Sequence, residues 1–207
     1  MGRLARVEWL AGALAAFVVI VPVELPDKTF VATLVLATRY RPWPVWLGVT
    51  AAFGIQCVVA TAAGRLLTLL PERPVRLAAA ALFAGSAVLL FRSARSADAE
   101  EAEAEKRYAE RITESRSGWR AFGASFLVLF AAEWGDLSQL LTASLVASGR
   151  PAIPVFFGSW AALALVAGAG VMLGRVLLRR IRLQVVRYIG ATVCAALAVI
   201  TLVAALL

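Results

Sequence analysis

Residues 23–30 read VELPDKTF and place three charged side chains, Glu24, Asp27 and Lys28, inside an otherwise apolar stretch. The surrounding sequence is almost entirely apolar from residue 9 to residue 38. A charged side chain at the centre of a membrane helix costs about 2.5–3.5 kcal/mol on insertion scales. Charged residues that are retained at that cost usually serve a function. This stretch therefore predicts a membrane-spanning segment with a functional site inside it.

The composition of the chain predicts an all-α, polytopic membrane protein. Of its 207 residues 61% are hydrophobic and only 16% are charged, whereas soluble domains are nearer a quarter charged. The first apolar run continues through the charged stretch, so we interpret it as a retained helix and not as a signal peptide. Six runs are long enough to predict transmembrane helices: 9–38, 45–66, 75–92, 120–147, 153–173 and 185–207.

Several classes of chemistry are excluded by what the sequence lacks. There is no histidine, which excludes an HExxH metalloprotease and Ser-His proteases. No nucleophile–base pair and no phosphate-binding loop is visible, so we predict that the protein is not an enzyme and holds no permanent cofactor. The net charge of +8 is explained by arginines that flank the spans, and does not indicate nucleic-acid binding.

The charged stretch has a second copy, AEWGDLSQL at 132–140. At an offset of 109 residues the two copies align Glu24 with Glu133, Asp27 with Asp136, Thr29 with Ser138, and Thr33 with Thr142. The chain therefore divides into three-span units at 1–92 and 120–207, joined by a linker at 93–119. Because three is odd, the two units insert in opposite orientations, which is a transporter architecture with its site at the repeat interface.

The 93–119 linker is the most polar part of the chain, with seven of the thirteen acidic residues. Its composition predicts a solvated helical segment. Fourteen arginines and lysines fall on the linker's side of the predicted bundle and six on the other. This imbalance places the linker in the cytoplasm and both termini outside, in a plasma or inner membrane.

The four acids at matched positions, Glu24, Asp27, Glu133 and Asp136, are the only ones of the thirteen within predicted spans. A Glu and an Asp at i,i+3 share one helical face, and a pseudo-two-fold axis would bring the pairs together. Mn²⁺ and Ca²⁺ prefer such oxygen ligands. The other predicted site residues are the ligands Thr29, Ser138 and Gln139, the charge-coupling residue Lys28, and the accessory residues Thr33, Thr142 and Gln56.

The acids and Gln56 could instead have purely structural roles. The acids could simply pair with Lys28 and hold the bundle together, although one lysine cannot neutralise four carboxylates. Gln56 is a lone polar residue in the second span, and such residues are more often interhelical hydrogen-bond donors than metal ligands.

Two copies of the pattern E-x-G-D-[KR]-[ST] in a six-span chain resemble the family of Golgi-type calcium/manganese–proton exchangers. The resemblance implies cation–proton antiport, with the motif acids as the metal and proton site. The chain departs from the family pattern at two positions. Pro26 stands where the family usually has glycine, and Leu137 stands where it usually has lysine or arginine.

The sequence thus predicts a secondary transporter that exports Mn²⁺ or Ca²⁺ in exchange for protons. One alternative is an exporter of another cationic substrate, such as a basic amino acid, on the same inverted-repeat plan. Another is a membrane protein that transports nothing and contains an internal ion-pair cluster. The choice between Mn²⁺ and Ca²⁺, the number of protons, the oligomeric state and the effect of the two departures stay open.

Overall fold

The computed structural model describes residues 3–25, 28–96, 99–100, 102–103, 106, 110, 118–180 and 183–206. The described part of the chain is helical and contains no strand, which confirms the all-α prediction. The helices are α1 (Arg3–Glu24), α2 (Lys28–Arg39), α3 (Pro42–Leu67), α4 (Glu72–Ser93), α5 (Trp119–Ala132), α6 (Leu137–Ala147), α7 (Ala152–Arg180) and α8 (Leu183–Leu206). A short 3₁₀ turn, Ala94–Ser96, follows α4.

Five of the described helices are long and apolar enough to cross a membrane, which agrees with a polytopic membrane protein. They are α1, α3, α4, α7 and α8. The predicted spans 9–38 and 120–147 are not continuous helices, because each is divided into two. With 14 and 11 residues, α5 and α6 measure about 21 and 17 Å, against a bilayer core of about 30 Å.

From the sequence, Pro22 and Pro26 are both expected to break the first span, because each lacks a backbone hydrogen-bond donor. Pro22 lies inside α1, which continues to Glu24. Neighbouring helices make an internal proline tolerable in membrane proteins, because they compensate for the backbone donor that it lacks. Pro26 lies outside the described residues, so its part in the division stays a prediction.

Several helix pairs approach so closely that only glycine fits between them, and two of these contacts are related to each other. A Cβ added at Gly158 on α7 would overlap the carbonyl oxygen of Ala13 on α1. A Cβ added at Gly48 on α3 would likewise overlap the carbonyl oxygen of Phe122 on α5. Gly48 and Gly158 are 110 residues apart, and their partners Ala13 and Phe122 are 109 residues apart. The two acidic motifs are also offset by 109 residues, so the helix contacts repeat with the motifs.

The central helices α3 and α7 are joined by two reciprocal hydrogen bonds. Trp46 Nε1 on α3 donates to the carbonyl of Ala164 on α7 at 2.9 Å. Trp160 Nε1 on α7 donates to the carbonyl of Thr50 on α3, also at 2.9 Å. Both indole N–H groups are therefore satisfied inside the bundle, and the two long helices are fixed against each other.

The helices α4 and α8 pack together, and an arginine near the start of each binds a carbonyl near the end of the other. Arg76 Nη1 donates to the carbonyl of Ala204 at 3.0 Å, and Arg187 Nη1 donates to the carbonyl of Ser93 at 2.7 Å. Carbonyls in a last helical turn lack intrahelical partners, and arginine supplies them. The two bonds are related by an offset of 111 residues at both ends.

Candidate functional site

The second acidic motif forms a break between two helices. Glu133 follows the last residue of α5 as its C-cap, and Asp136 is the N-cap of α6. Between them Gly135 has a φ of 78°, a left-handed conformation that glycine adopts without steric cost. The expectation that Glu133 and Asp136 share one helical face is therefore wrong, because they lie on either side of the break.

The first motif is divided at the equivalent place. Glu24 is the last residue of α1, and Lys28 is the first residue of α2. Asp27, a predicted metal ligand, lies outside the described residues, and the side chains of Lys28 and Thr29 are likewise not described. Glu24 is fully buried and Glu133 is 2% exposed, so both motifs bury a glutamate at the end of a half-helix.

The helix α3 supports the second break and passes near Glu24, through two neighbouring residues. Gln56 Nε2 donates to the carbonyl of Phe130 at 3.2 Å, in the last turn of α5 where carbonyls lose their helical partners. Cys57, the next residue, lies within electrostatic reach of Glu24. Gln56 thus makes the interhelical hydrogen bond that the sequence favoured, and it places α3 beside both glutamates.

Gln139, predicted as a metal ligand, uses its amide oxygen within the break. Its Oε1 accepts a hydrogen bond from the backbone N–H of Gly135 at 3.0 Å, which stabilises the turn. Its Nε2 is buried and makes no hydrogen bond within the described part of the chain. Gln139 therefore supports the turn, and its Oε1 keeps a second lone pair for the predicted role as a ligand.

The predicted hydroxyl groups are buried near the breaks. Ser138 lies in the first turn of α6, and its carbonyl accepts a hydrogen bond from Thr142 Oγ1 at 2.7 Å. The same Thr142 oxygen lies 3.1 Å from Ser159 Oγ, within hydrogen-bonding distance, and so joins α6 to α7. Thr33 on α2 is fully buried and lies against Gly170 of α7. The two predicted accessory threonines thus both contact α7.

The second motif lines a cavity of about 220 Å³ that extends to the residue before the first motif. Val23, the neighbour of Glu24, lines one part, and Asp136 and Leu137 line another. The remaining wall comes from the end of α4, the linker and α8, through Leu89, Leu90, Ser93, Glu100 and Arg187. Asp136 therefore faces a partly polar space, whereas Glu24 and Glu133 are buried in protein.

Within the described residues, no three Asp, Glu, Cys or His side chains are arranged to hold a metal ion. The structure brings Asp136 and Val23, the neighbour of Glu24, to one cavity. It buries Glu24 and Glu133 beside the breaks. Asp27, the fourth acid, is outside this description. The cage of four carboxylates stays a prediction.

Sequence reasoning missed three residues of the cavity wall, Ser93, Glu100 and Arg187. The available signal was Arg187, which lies two residues inside the predicted span 185–207 although it was counted with the preceding link. An arginine in that position, like an acid, requires a partner. Glu100 carried no signal, because it is one of several acids in a polar segment.

The chain matches the family described as "Divalent cation/proton antiporter GDT1" over residues 12–98 and 121–207. It belongs to this family. The family is one of transporters that exchange divalent cations for protons, and each matched segment contains one acidic motif. Membership agrees with the resemblance seen in the two motifs.

Relatives of the GDT1 family occur in cyanobacteria and plants. A GDT1-like protein of Synechocystis sp. is 36% identical over 145 residues, which cover 66% of this chain and 70% of the relative. A chloroplastic GDT1-like protein 1 of Oryza sativa subsp. indica is 29% identical over 93% of this chain, which spans 62% of the rice protein. Protein PAM71 of Arabidopsis thaliana, also chloroplastic, is 29% identical over 68% of this chain and 43% of its own length. No solved structure matches the chain.

Proposed function

We propose that this GDT1-family chain exports Mn²⁺ or Ca²⁺ in exchange for protons, with Glu24, Asp27, Glu133 and Asp136 as its ion-binding acids. The observation that carries the proposal is the pair of broken helices, each with acids at the break, in a member of an antiporter family. Broken helices are a common way to expose backbone and side-chain oxygen to an ion inside a membrane protein.

The proposed topology is two inverted units, in which α1 and α2 together form one crossing, and α5 and α6 another. Three observations support it: the reciprocal glycine contacts, the reciprocal arginine contacts, and the two separate family matches. We place the linker in the cytoplasm and both termini outside a plasma membrane. A cysteine introduced by Ser115→Cys should react with impermeant reagents only from the cytoplasmic side, and reaction in intact cells would contradict this orientation.

The helix ends suggest different roles for the glutamates and the aspartates. Glu24 and Glu133 stand at helix C-terminal ends, where the helix dipole is negative and disfavours a carboxylate. Burial disfavours the charge further. Asp136 is the N-cap of α6, where the helix dipole attracts negative charge, and Asp27 holds the matched position in the sequence. We assign the protons to the glutamates and the lasting negative charge for the metal to the aspartates.

Exchange then follows from competition for one small volume. With protons on the glutamates, the site holds little negative charge for a dication. When a dication reaches the aspartates, it favours ionised glutamates, and the protons leave. Lys28 supplies a fixed positive charge beside the first motif, which limits the number of protons that the empty site needs. The hydroxyls of Thr29 and Ser138 complete the proposed oxygen donors.

The test is transport by the purified protein in proteoliposomes with Mn²⁺, Ca²⁺ and a control set of divalent ions. Glu24→Gln, Glu133→Gln, Asp27→Asn and Asp136→Asn should each abolish Mn²⁺/H⁺ exchange in a folded protein. The glutamine variants should retain Mn²⁺/Mn²⁺ exchange, because no proton moves in that reaction, and the asparagine variants should lose it.

Glu8→Gln provides the matched control, since Glu8 lies on α1 with Glu24 but is exposed. It should transport normally. An acid variant with full Mn²⁺/H⁺ exchange would remove that residue from the proposed site. Inhibition of uptake by arginine or lysine, with none by Mn²⁺ or Ca²⁺, would instead favour export of a basic amino acid.

A further inference from the structure

Arg187 is a buried cation at the edge of the cavity that reaches Asp136. Only 8% of the residue is exposed, and its Nη1 lies 2.7 Å from Glu100 Oε2 and 2.7 Å from the carbonyl of Ser93. The arginine thus joins α8 to the end of α4 and to the linker. All three of these residues line the same cavity as Asp136.

Glu100 is held in its ionised form at this position. Ser96 Oγ donates to its Oε1 at 2.5 Å, and Arg187 binds its Oε2. These contacts keep the pKa of Glu100 below its usual value, and the hydrogen bond from Ser96 has the largest effect. Its side chain is half exposed, so one face of the ion pair meets solvent while Arg187 is enclosed.

A dication in this cavity lies close to the charge on Arg187, which is part of the cavity wall. Two like charges repel strongly where the effective dielectric constant is low, and a dication is repelled twice as much as a monovalent ion. Paired Glu100 cancels this repulsion. Glu100 can also bind the dication itself. A divalent ion competes with Arg187 for the Glu100 carboxylate more strongly than a monovalent ion does.

We propose that this cavity is the linker-side entrance for the transported cation, and that the Arg187–Glu100 pair forms its mouth and selects divalent ions. In the closed mouth Glu100 binds Arg187. In the open mouth Glu100 binds the entering dication, while Arg187 stays on the carbonyl of Ser93. The identity of the cation rests on the proposed function, whereas the closure of the mouth does not.

The chain contains a matched control at the opposite end of the same helix pair. Arg76 also binds a carbonyl of the partner helix, Ala204, and also forms an ion pair, with Glu72 at 2.8 Å. It pairs within its own helix, its side chain is 32% exposed, and it is not one of the residues that line the cavity. Arg76→Gln removes an equivalent helix contact without changing the mouth.

The first test is the KM for Mn²⁺ entering from the linker side of oriented proteoliposomes. Glu100→Gln removes one negative charge that faces Arg187 and should raise the KM roughly tenfold, while Arg187→Gln should lower it by a similar factor. Arg187→Gln should also make Mn²⁺ uptake sensitive to K⁺. Neither the KM nor the K⁺ sensitivity should change in Arg76→Gln. If Glu100→Gln and Arg187→Gln shifted the KM in the same direction, or not at all, the Arg187–Glu100 pair would have no role in ion selection.

The second test measures closure without transport, in purified full-length protein. Leu137→Cys, in a Cys57→Ala, Cys194→Ala background, places one thiol on the cavity wall next to Asp136. Adding Glu100→Gln, which replaces a half-exposed carboxylate by a neutral amide, should increase its reaction rate with an uncharged methanethiosulfonate several-fold. Equal rates with and without Glu100→Gln would refute the mouth, even if Mn²⁺/H⁺ exchange were established. Faster labelling would support it even if exchange were absent.

Discussion

Gly158 on α7 lies directly against the backbone carbonyl of Ala13 on α1, with no room between them for a side-chain carbon. We expect Gly158→Ala to force α1 and α7 apart, because a backbone oxygen cannot rotate away as a side chain can. Overpacking of this kind costs about 1–3 kcal/mol. The melting temperature of the detergent-solubilised protein should fall, and Gly48→Ala should behave in the same way.

The control for these two variants is Gly85→Ala on α4. An added Cβ there meets no atom within 4 Å, and alanine favours helix more than glycine. Its melting temperature should stay the same or rise. A melting temperature for Gly158→Ala equal to that of Gly85→Ala would show that α1 and α7 can separate without loss.

Gly135→Ala should damage the second break without filling any space. No atom lies within 4 Å of an added Cβ, but the φ of 78° costs a residue with a side chain about 1–2 kcal/mol. The turn should relax and move Asp136, so the apparent affinity for Mn²⁺ should fall more than the melting temperature does. Gly123→Ala, in the helical part of α5 and equally unobstructed, should leave the affinity unchanged.

Gln56→Leu should destabilise the end of α5. It removes the donor to the Phe130 carbonyl and leaves that oxygen without this bond, which typically costs about 1–3 kcal/mol. Thermal unfolding and Mn²⁺ transport would both be measured. Ser86→Ala serves as the comparison, because Ser86 bonds only to Leu82 in its own helix, and it should change neither quantity. Wild-type stability in Gln56→Leu would mean that another group supports the break.

Lys28→Leu should shift the transport optimum to higher pH. Loss of a positive charge beside four acids lets the empty site keep its protons at higher pH. Leu137→Lys adds a positive charge at the matched position and should act in the opposite direction while weakening divalent binding. Transport rates would be measured across a pH series. A Lys28→Leu profile that coincides with wild type would indicate that the lysine extends towards the membrane surface instead.

The apolar runs predicted four of the helices well, because α3, α4, α7 and α8 each follow one continuous run. The divisions of the other two spans were harder to place. An apolar pattern is the same on both sides of a break, and what permits the break is a contact from elsewhere, such as Gln56 binding the Phe130 carbonyl. Such contacts join residues that are distant in sequence, so neither composition nor periodicity indicates them.

The candidate site, too, could be predicted only in part from the sequence. The repeated motif identified Glu133 and Asp136 because acids within membrane spans are rare. It could not assign Gln139 to the Gly135 N–H, because that hydrogen bond exists only once the helix is broken. Glu100 was one acid among seven in the linker, and its contact with Arg187 is known from the structure and not from the sequence.

The paired glycine contacts mean that the two halves of the chain carry the same binding surface. Each half offers a glycine on its third helix, α3 or α7, and receives the other half's glycine against its first helix, α1 or α5. A surface that recognises its own copy in this way is self-complementary, like the interface of a two-fold homodimer. Such halves need no covalent linker to find each other. Residues 1–98 and 118–207, produced as separate polypeptides in one membrane, should therefore assemble into the intact bundle.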